Sequence, residues 1–120
     1  MLNKKIILGV TGGIAAYKAA ELIRLLRKNG ADVQVVMTES ATKFISPLTL
    51  QALSGKPVLE NMWEPSKGNG MEHINQSRDS DLIVIAPASA NFIAKISQGI
   101  ADDLLTNICL ARSCPLMIAP

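Results

Sequence analysis

The chain has 120 residues, of which 48% are hydrophobic and 18% charged, enough apolar side chain for one buried core and too much for a disordered segment. Twelve basic against ten acidic residues leave a net charge of +2, with no basic run beyond Lys4-Lys5, and the aromatics are confined to Tyr17, Phe44, Trp63 and Phe92. That excludes a basic stripe or stacking platform for nucleic acid, and no apolar stretch approaches the ~20 residues of a membrane span.

The opening MLNKKIILGV places two lysines before an apolar run, as a signal peptide does. The run is short, though, and enters a glycine turn rather than a small-residue cleavage site, so Lys5 to Val10 is predicted as a strand. Its continuous apolar character fits a strand covered on both faces. After Thr11-Gly12-Gly13, apolar residues at Ile14, Tyr17, Ala20, Leu22, Leu25 and Leu26 follow the helical period, and Lys28 and Gly30 end that helix near Asn29. Val33 to Met37 is the second predicted strand.

Ser46-Pro47 reads as an N-cap with proline in the first turn, opening a helix that Gly55 closes. Val58 to Glu60 forms a small strand in this reading. Asn61 to Glu72, with Pro65, Gly68 and Gly70, is the one long loop. Leu82 to Ala86 (LIVIA) is the strongest strand signal. Asn91 to Gln98 and Asp103 to Ala111 are helical, separated by Gly99, and Cys114 to Ala119 is a last strand. The spacing of Cys109 and Cys114 matches neither CxxC nor a zinc pattern, so both are expected as reduced core thiols in a cytoplasmic protein, with no metal site.

Strands alternating with amphipathic helices predict an α/β fold: a three-layer, Rossmann-like, flavodoxin-type parallel sheet with helices on both faces. A hydrophobic strand ending at Pro120 without a turn or polar tail is an odd terminus. The expectation is one domain over residues 1–120, truncated at its C-terminal end.

Three turns could carry chemistry. Gly9-Val10-Thr11-Gly12-Gly13-Ile14-Ala15-Ala16 joins the first strand to the first helix, where glycines admit a close ligand and unpaired backbone N–H groups favour a phosphate. Neither GxxxxGK[ST] nor GxGxxG is present. The same segment reads also as a tight turn without a ligand. At the tip of the second strand, Met37-Thr38-Glu39-Ser40 offers Glu39 to ribose hydroxyls or the flanking hydroxyls to a phosphate, which favours a mononucleotide over a dinucleotide. Thr38 and Ser40 are equally helix N-caps. In Ala86-Pro87-Ala88-Ser89-Ala90-Asn91, small residues leave space beyond a strand end and Ser89 and Asn91 supply polar groups, although either could simply cap the next helix.

Taken in order, GGIAAYK, MTESA and APASAN resemble the homo-oligomeric flavin-containing cysteine decarboxylase family over essentially the whole chain, and the run Gly99 to Thr106 is similar to the segment following that family's flavin site. Within the family the chain looks like the branch acting on 4'-phosphopantothenoyl-L-cysteine, often fused to a downstream phosphopantothenate–cysteine ligase domain. The resemblance implies FMN as cofactor, with Gly12, Gly13 and Ile14 against it, Thr38 and Ser40 near its phosphate, and Ser89, Ala90 and Asn91 on its other side. It implies a homotrimer or homododecamer with the flavin between subunits.

The single histidine, His73, reads from its position as a solvated loop residue. The family's His-Ile segment makes it a catalytic proton carrier, kept neutral at a helix N-terminus. The implied reaction oxidises the cysteine moiety to a thioaldehyde, releases CO2 and returns the electrons, giving 4'-phosphopantetheine for coenzyme A synthesis. The family's Pro-Ala-Met-Asn motif would begin at Pro120, and its active-site cysteine lies further on; Cys109 and Cys114 match no such position. Flavin prenyltransferases, peptidyl-cysteine decarboxylases and non-catalytic flavin-binding regulatory subunits are the alternatives on the same architecture.

Overall fold

A computed structural model describes residues 2–60, 74 and 77–119. Four parallel strands, β1 (Lys5–Val10), β2 (Asp32–Met37), β3 (Leu82–Ile85) and β4 (Leu116–Ile118), form one sheet in the order β2-β1-β3-β4. The chain steps from β1 to β2 on one side, then returns to place β3 on the other. The topological switch point, where open α/β sheets bind ligands, therefore lies between the carboxyl ends of β1 and β3.

Strand periodicity sorts the core into two layers. Ile6, Leu8 and Val10 of β1, with Val33, Val35 and Met37 of β2 and Val84 of β3, face α1 (Lys18–Lys28) and α2 (Pro47–Ser54). On that side α1 contributes Ala19, Ile23 and Leu26 at helical spacing, and α2 contributes Leu50. Ile7, Val36, Ile83 and Ile85 point the other way, onto Phe92 of α3 (Ala90–Ser97) and Leu104, Leu105, Ile108 and Cys109 of α4 (Leu104–Leu110). Helices thus cover both faces, as the alternation of elements requires. Among the described residues, no helix is long and apolar enough to cross a membrane.

Several boundaries differ from the sequence-based ones for local reasons. The segment after Gly13 enters as a 3-10 turn (Ile14–Tyr17), and regular α1 begins only at Lys18. Helix α3 starts at Ala90, one residue earlier than expected, because of the two candidate caps it is Ser89 whose hydroxyl accepts from Phe92 N at 3.1 Å. Val58 to Glu60 makes a single parallel bridge, Leu59 against Val36 at the β2 edge, and the last strand is confined to Leu116–Ile118. Helix α2 matches its sequence signals: Ser46 Oγ accepts from Leu48 N at 3.2 Å, Pro47 follows, and Gly55 closes it at φ 77°.

Candidate functional site

The three turns leave the carboxyl ends of β1, β2 and β3 and meet around one cavity of about 790 Å3, within the ~300–1,000 Å3 usual for small-molecule sites. The first two turns touch. A Cβ added at Gly12 would stand 2.7 Å from Ser40 Cβ and 3.3 Å from its carbonyl carbon, so only a missing side chain lets these segments close on each other. A Cβ at Gly13 would meet nothing within 4 Å, which leaves open space beside the turn. Gly9, one strand residue earlier than the turn, has a different job: its Cβ would overlap Ile85 Cδ1 at 2.6 Å and Leu105 Cδ1 at 2.8 Å, so it seats α4 on the sheet.

The second turn is a 3-10 segment, Ser40–Lys43. Thr38 Oγ1 accepts weakly from Ala41 N at 3.3 Å, and the Thr42 hydroxyl donates to Glu39 O at 2.6 Å. Ser40 Oγ has no hydrogen-bond partner among the described residues, and neither has the Asn91 amide. Both are exposed and both line the cavity, so they are free to bind a ligand. In the third turn Ser89 Oγ accepts from Phe92 N and keeps its own proton to donate.

Thr11 ties the first turn to the third. Its side chain is 1% exposed, its hydroxyl donates to Pro87 O at 2.6 Å, and it accepts from Ser89 N at 2.7 Å. Sequence reasoning gave Thr11 no role; the available signal was a hydroxyl at the end of an otherwise apolar strand.

The remaining wall comes from α3, α4 and their connection. Lys95 Nζ pairs with Asp102 Oδ1 at 3.0 Å, and Asp103 caps α4 by accepting from Thr106 N at 2.8 Å while Asp103 N donates to Thr106 Oγ1 at 3.1 Å. Among the described residues the lining holds one cation, Lys95, against the four carboxylates Glu39, Glu60, Asp102 and Asp103. A phosphate here must rely on backbone N–H groups and hydroxyls rather than on an arginine clamp.

Gly12, Gly13, Thr38, Ser40, Ser89 and Asn91 therefore share one cavity. Ile14 and Ala90 are not in its lining, and the Ile14 side chain is 82% exposed. His73 lies outside the described residues, as do Trp63, Met71 and the predicted loop 61–72; the next residue, Ile74, is buried in the layer that holds Ala88 and Phe92. Cys109 and Cys114 form no disulfide. Burial pushes the Cys109 thiol up to about 12, against the opposing pull of Arg112, so it is protonated and unreactive. The residues present fit the expected mononucleotide: hydroxyl and amide donors without partners, an open glycine and sufficient volume converge at the switch point.

The family model described as Flavoprotein matches residues 1–120. The coenzyme A biosynthesis bifunctional protein CoaBC of Haemophilus influenzae is 53% identical over 118 residues, 98% of this chain and 30% of the relative. That of Escherichia coli K12 is 50% identical over 120 residues, all of this chain and again 30% of the relative. The chain thus spans about 30% of the length of these curated relatives. Among solved structures, the FMN-dependent cysteine decarboxylase SpaF superposes with a TM-score of 0.88 at 36% identity, covering 98% of this chain and 67% of that one. A PPC decarboxylase variant complexed with pantothenoylaminoethenethiol gives 0.77 at 31%, covering 98% and 66%.

Proposed function

Since the chain belongs to the flavoprotein family, we propose that residues 1–120 are the FMN-binding part of an enzyme that decarboxylates 4'-phosphopantothenoyl-L-cysteine to 4'-phosphopantetheine in coenzyme A biosynthesis. The observation that carries this reading is the meeting of three turns, distant in sequence, around one cavity at the β1–β3 switch point. Identity of 50–53% with the coenzyme A biosynthesis proteins CoaBC over essentially the whole chain supports the phosphopantothenoyl substrate, while SpaF at 36% and the PPC decarboxylase at 31% share the architecture.

In this reading the backbone N–H groups of Gly12 and Gly13 and the hydroxyls of Thr38 and Ser40 hold the phosphate end of FMN, where neutral donors suit the acidic wall. Ser89 and Asn91 hold the opposite side, with Ser89 donating and the Asn91 amide free to donate and accept, while Ile14 and Ala90 stand outside the lining. When bound, FMN supplies a reversible two-electron oxidation of the cysteine moiety, which makes loss of CO2 possible. The chain positions the substrate, excludes water and moves protons; His73 is the group that exchanges a proton near neutral pH.

The parent protein is cytoplasmic and carries a downstream phosphopantothenate–cysteine ligase domain, in keeping with its bifunctional relatives. It self-associates as a homotrimer or homododecamer. Support for this comes from exposed apolar side chains: Phe44 (50%) in the cavity lining, Ile14 (82%) and Tyr17 (60%) in the 3-10 segment after Gly13, and Leu48 (70%) at the start of α2.

The test uses the full-length protein with phosphopantothenoylcysteine. Wild type purifies yellow and releases CO2; His73→Asn keeps the colour and loses CO2 release. A His73→Asn protein of full activity removes His73 from the mechanism, and a colourless wild type that takes up no FMN removes the whole reading.

A further inference from the structure

Beyond the last β1–β3 ladder pair, Gly9 with Ile85, one strand hydrogen bond remains, from Ala86 N to Gly9 O at 2.9 Å. Past that point Thr11 continues the bonding between the two segments, at the switch point where sheets of this order open a crevice. Its backbone N–H donates to Pro87 O at 3.2 Å, its hydroxyl donates to the same carbonyl at 2.6 Å, and the hydroxyl accepts from Ser89 N at 2.7 Å. These bonds join residues 76 to 78 positions apart in sequence, and the side chain that makes them is almost fully excluded from water. An aliphatic side chain at this position could not replace the hydroxyl, because Ser89 N would be left without a partner and Pro87 O would keep only the longer bond from Thr11 N.

The effect of the bridge falls on Ser89. Thr11 fixes its backbone nitrogen, and its own hydroxyl fixes Phe92 N, so the direction in which α3 leaves the third turn is set at both ends of one residue. Ser89 and Asn91 then face the cavity across from Gly12 and Gly13, while Thr11 itself is not part of the lining. We propose that Thr11 is a positioning residue for the cofactor: its hydroxyl sets the separation between the Gly12–Gly13 turn and the Ser89–Asn91 turn, and so the width of the slot that FMN enters, without touching FMN. This rests on the FMN reading of the same cavity.

Two variants of the full-length apo-protein separate the hydroxyl from the methyl group of Thr11. Thr11→Val keeps shape and removes both hydrogen bonds of the side chain; Thr11→Ser keeps the hydroxyl and removes the methyl group. FMN affinity is read by quenching of flavin fluorescence, and folding by the thermal midpoint without FMN. The expected result is a dissociation constant about ten-fold or more higher for Thr11→Val and within about three-fold of wild type for Thr11→Ser. A Thr11→Val protein that binds FMN as wild type does overturns the proposal, even if its thermal midpoint falls. So does a Thr11→Ser protein weakened as far as Thr11→Val, since packing and not the hydroxyl would then be responsible. Should Thr11→Val fail to fold, Thr11→Ser decides alone: near-native affinity supports the proposal and a ten-fold loss overturns it. A wild type that binds no FMN sinks the functional reading instead, which keeps the two failures apart.

Discussion

Glycines of one segment serve unlike ends, and the atoms they would strike say which. Gly9 would drive a methyl group into Ile85 and Leu105 of the second core layer, so it serves packing, although sequence alone grouped it with the ligand-facing glycines. Gly12 would drive one into Ser40, the residue whose free hydroxyl faces the cavity. Gly12→Ala therefore acts on the ligand through a neighbour: the second turn must retreat from a 2.7 Å contact, carrying Ser40 away from the proposed phosphate position. The expected outcome is an FMN dissociation constant raised about ten-fold, with overpacking costing roughly 1–3 kcal/mol in chemical unfolding of the apo-protein. Native affinity in Gly12→Ala would show that the contact between the two turns has no bearing on binding.

At the level of elements, α4 connects the core to the cavity wall. Its first residues, Leu104 and Leu105, lie in the second layer and also line the cavity, and its N-terminus is held by the reciprocal Asp103–Thr106 bonds. Asp103→Ala removes that cap and is expected to lower apo-protein stability by about 1 kcal/mol, whereas Asp103→Asn, which still accepts from Thr106 N, costs less; denaturant melts of the two variants check the order. Elements with local signals were legible in the sequence. Ser46, Pro47 and Gly55 bracket α2 as written, and the apolar runs of β1, β2 and β3 stand where periodicity places them. The small strand read at Val58 to Glu60 is there as one bridge, Leu59 to Val36; what escaped was the 3-10 entry to α1 and the Thr11 hydroxyl, whose partners are 76 and 78 residues away. The candidate site was legible as three turns of the right composition. Sequence gave no sign that Ile14 would turn its side chain to solvent, or that Lys95 and Asp102 would pair at the rim.

For the molecule as a whole, the balance of charge around the cavity has a measurable sign. One lysine faces four carboxylates among the described lining residues, and that lysine is already paired with Asp102. An anionic ligand is thus held against a mildly repulsive wall by neutral donors, and salt screens the repulsion more than it weakens the attraction. Titrating FMN into apo-protein between about 0.1 M and about 1 M salt is expected to leave the dissociation constant unchanged or lower it. A steep loss of affinity with salt would mean that cations outside this lining dominate. The order of strands in the sheet reaches further still. Because β1 sits between β2 and β3, most of the first layer, without Val84 of β3, can close once the chain has been made through Val58, while the second waits for β3, α3 and α4. As the chain leaves the ribosome, a half-domain with one bare sheet face precedes the finished one, and every wall of the cavity that depends on Thr11 meeting Pro87 arrives in the second stage. The nascent protein must shelter β1's exposed Ile7 side until then, and the cavity can take up its cofactor only once α4 has emerged.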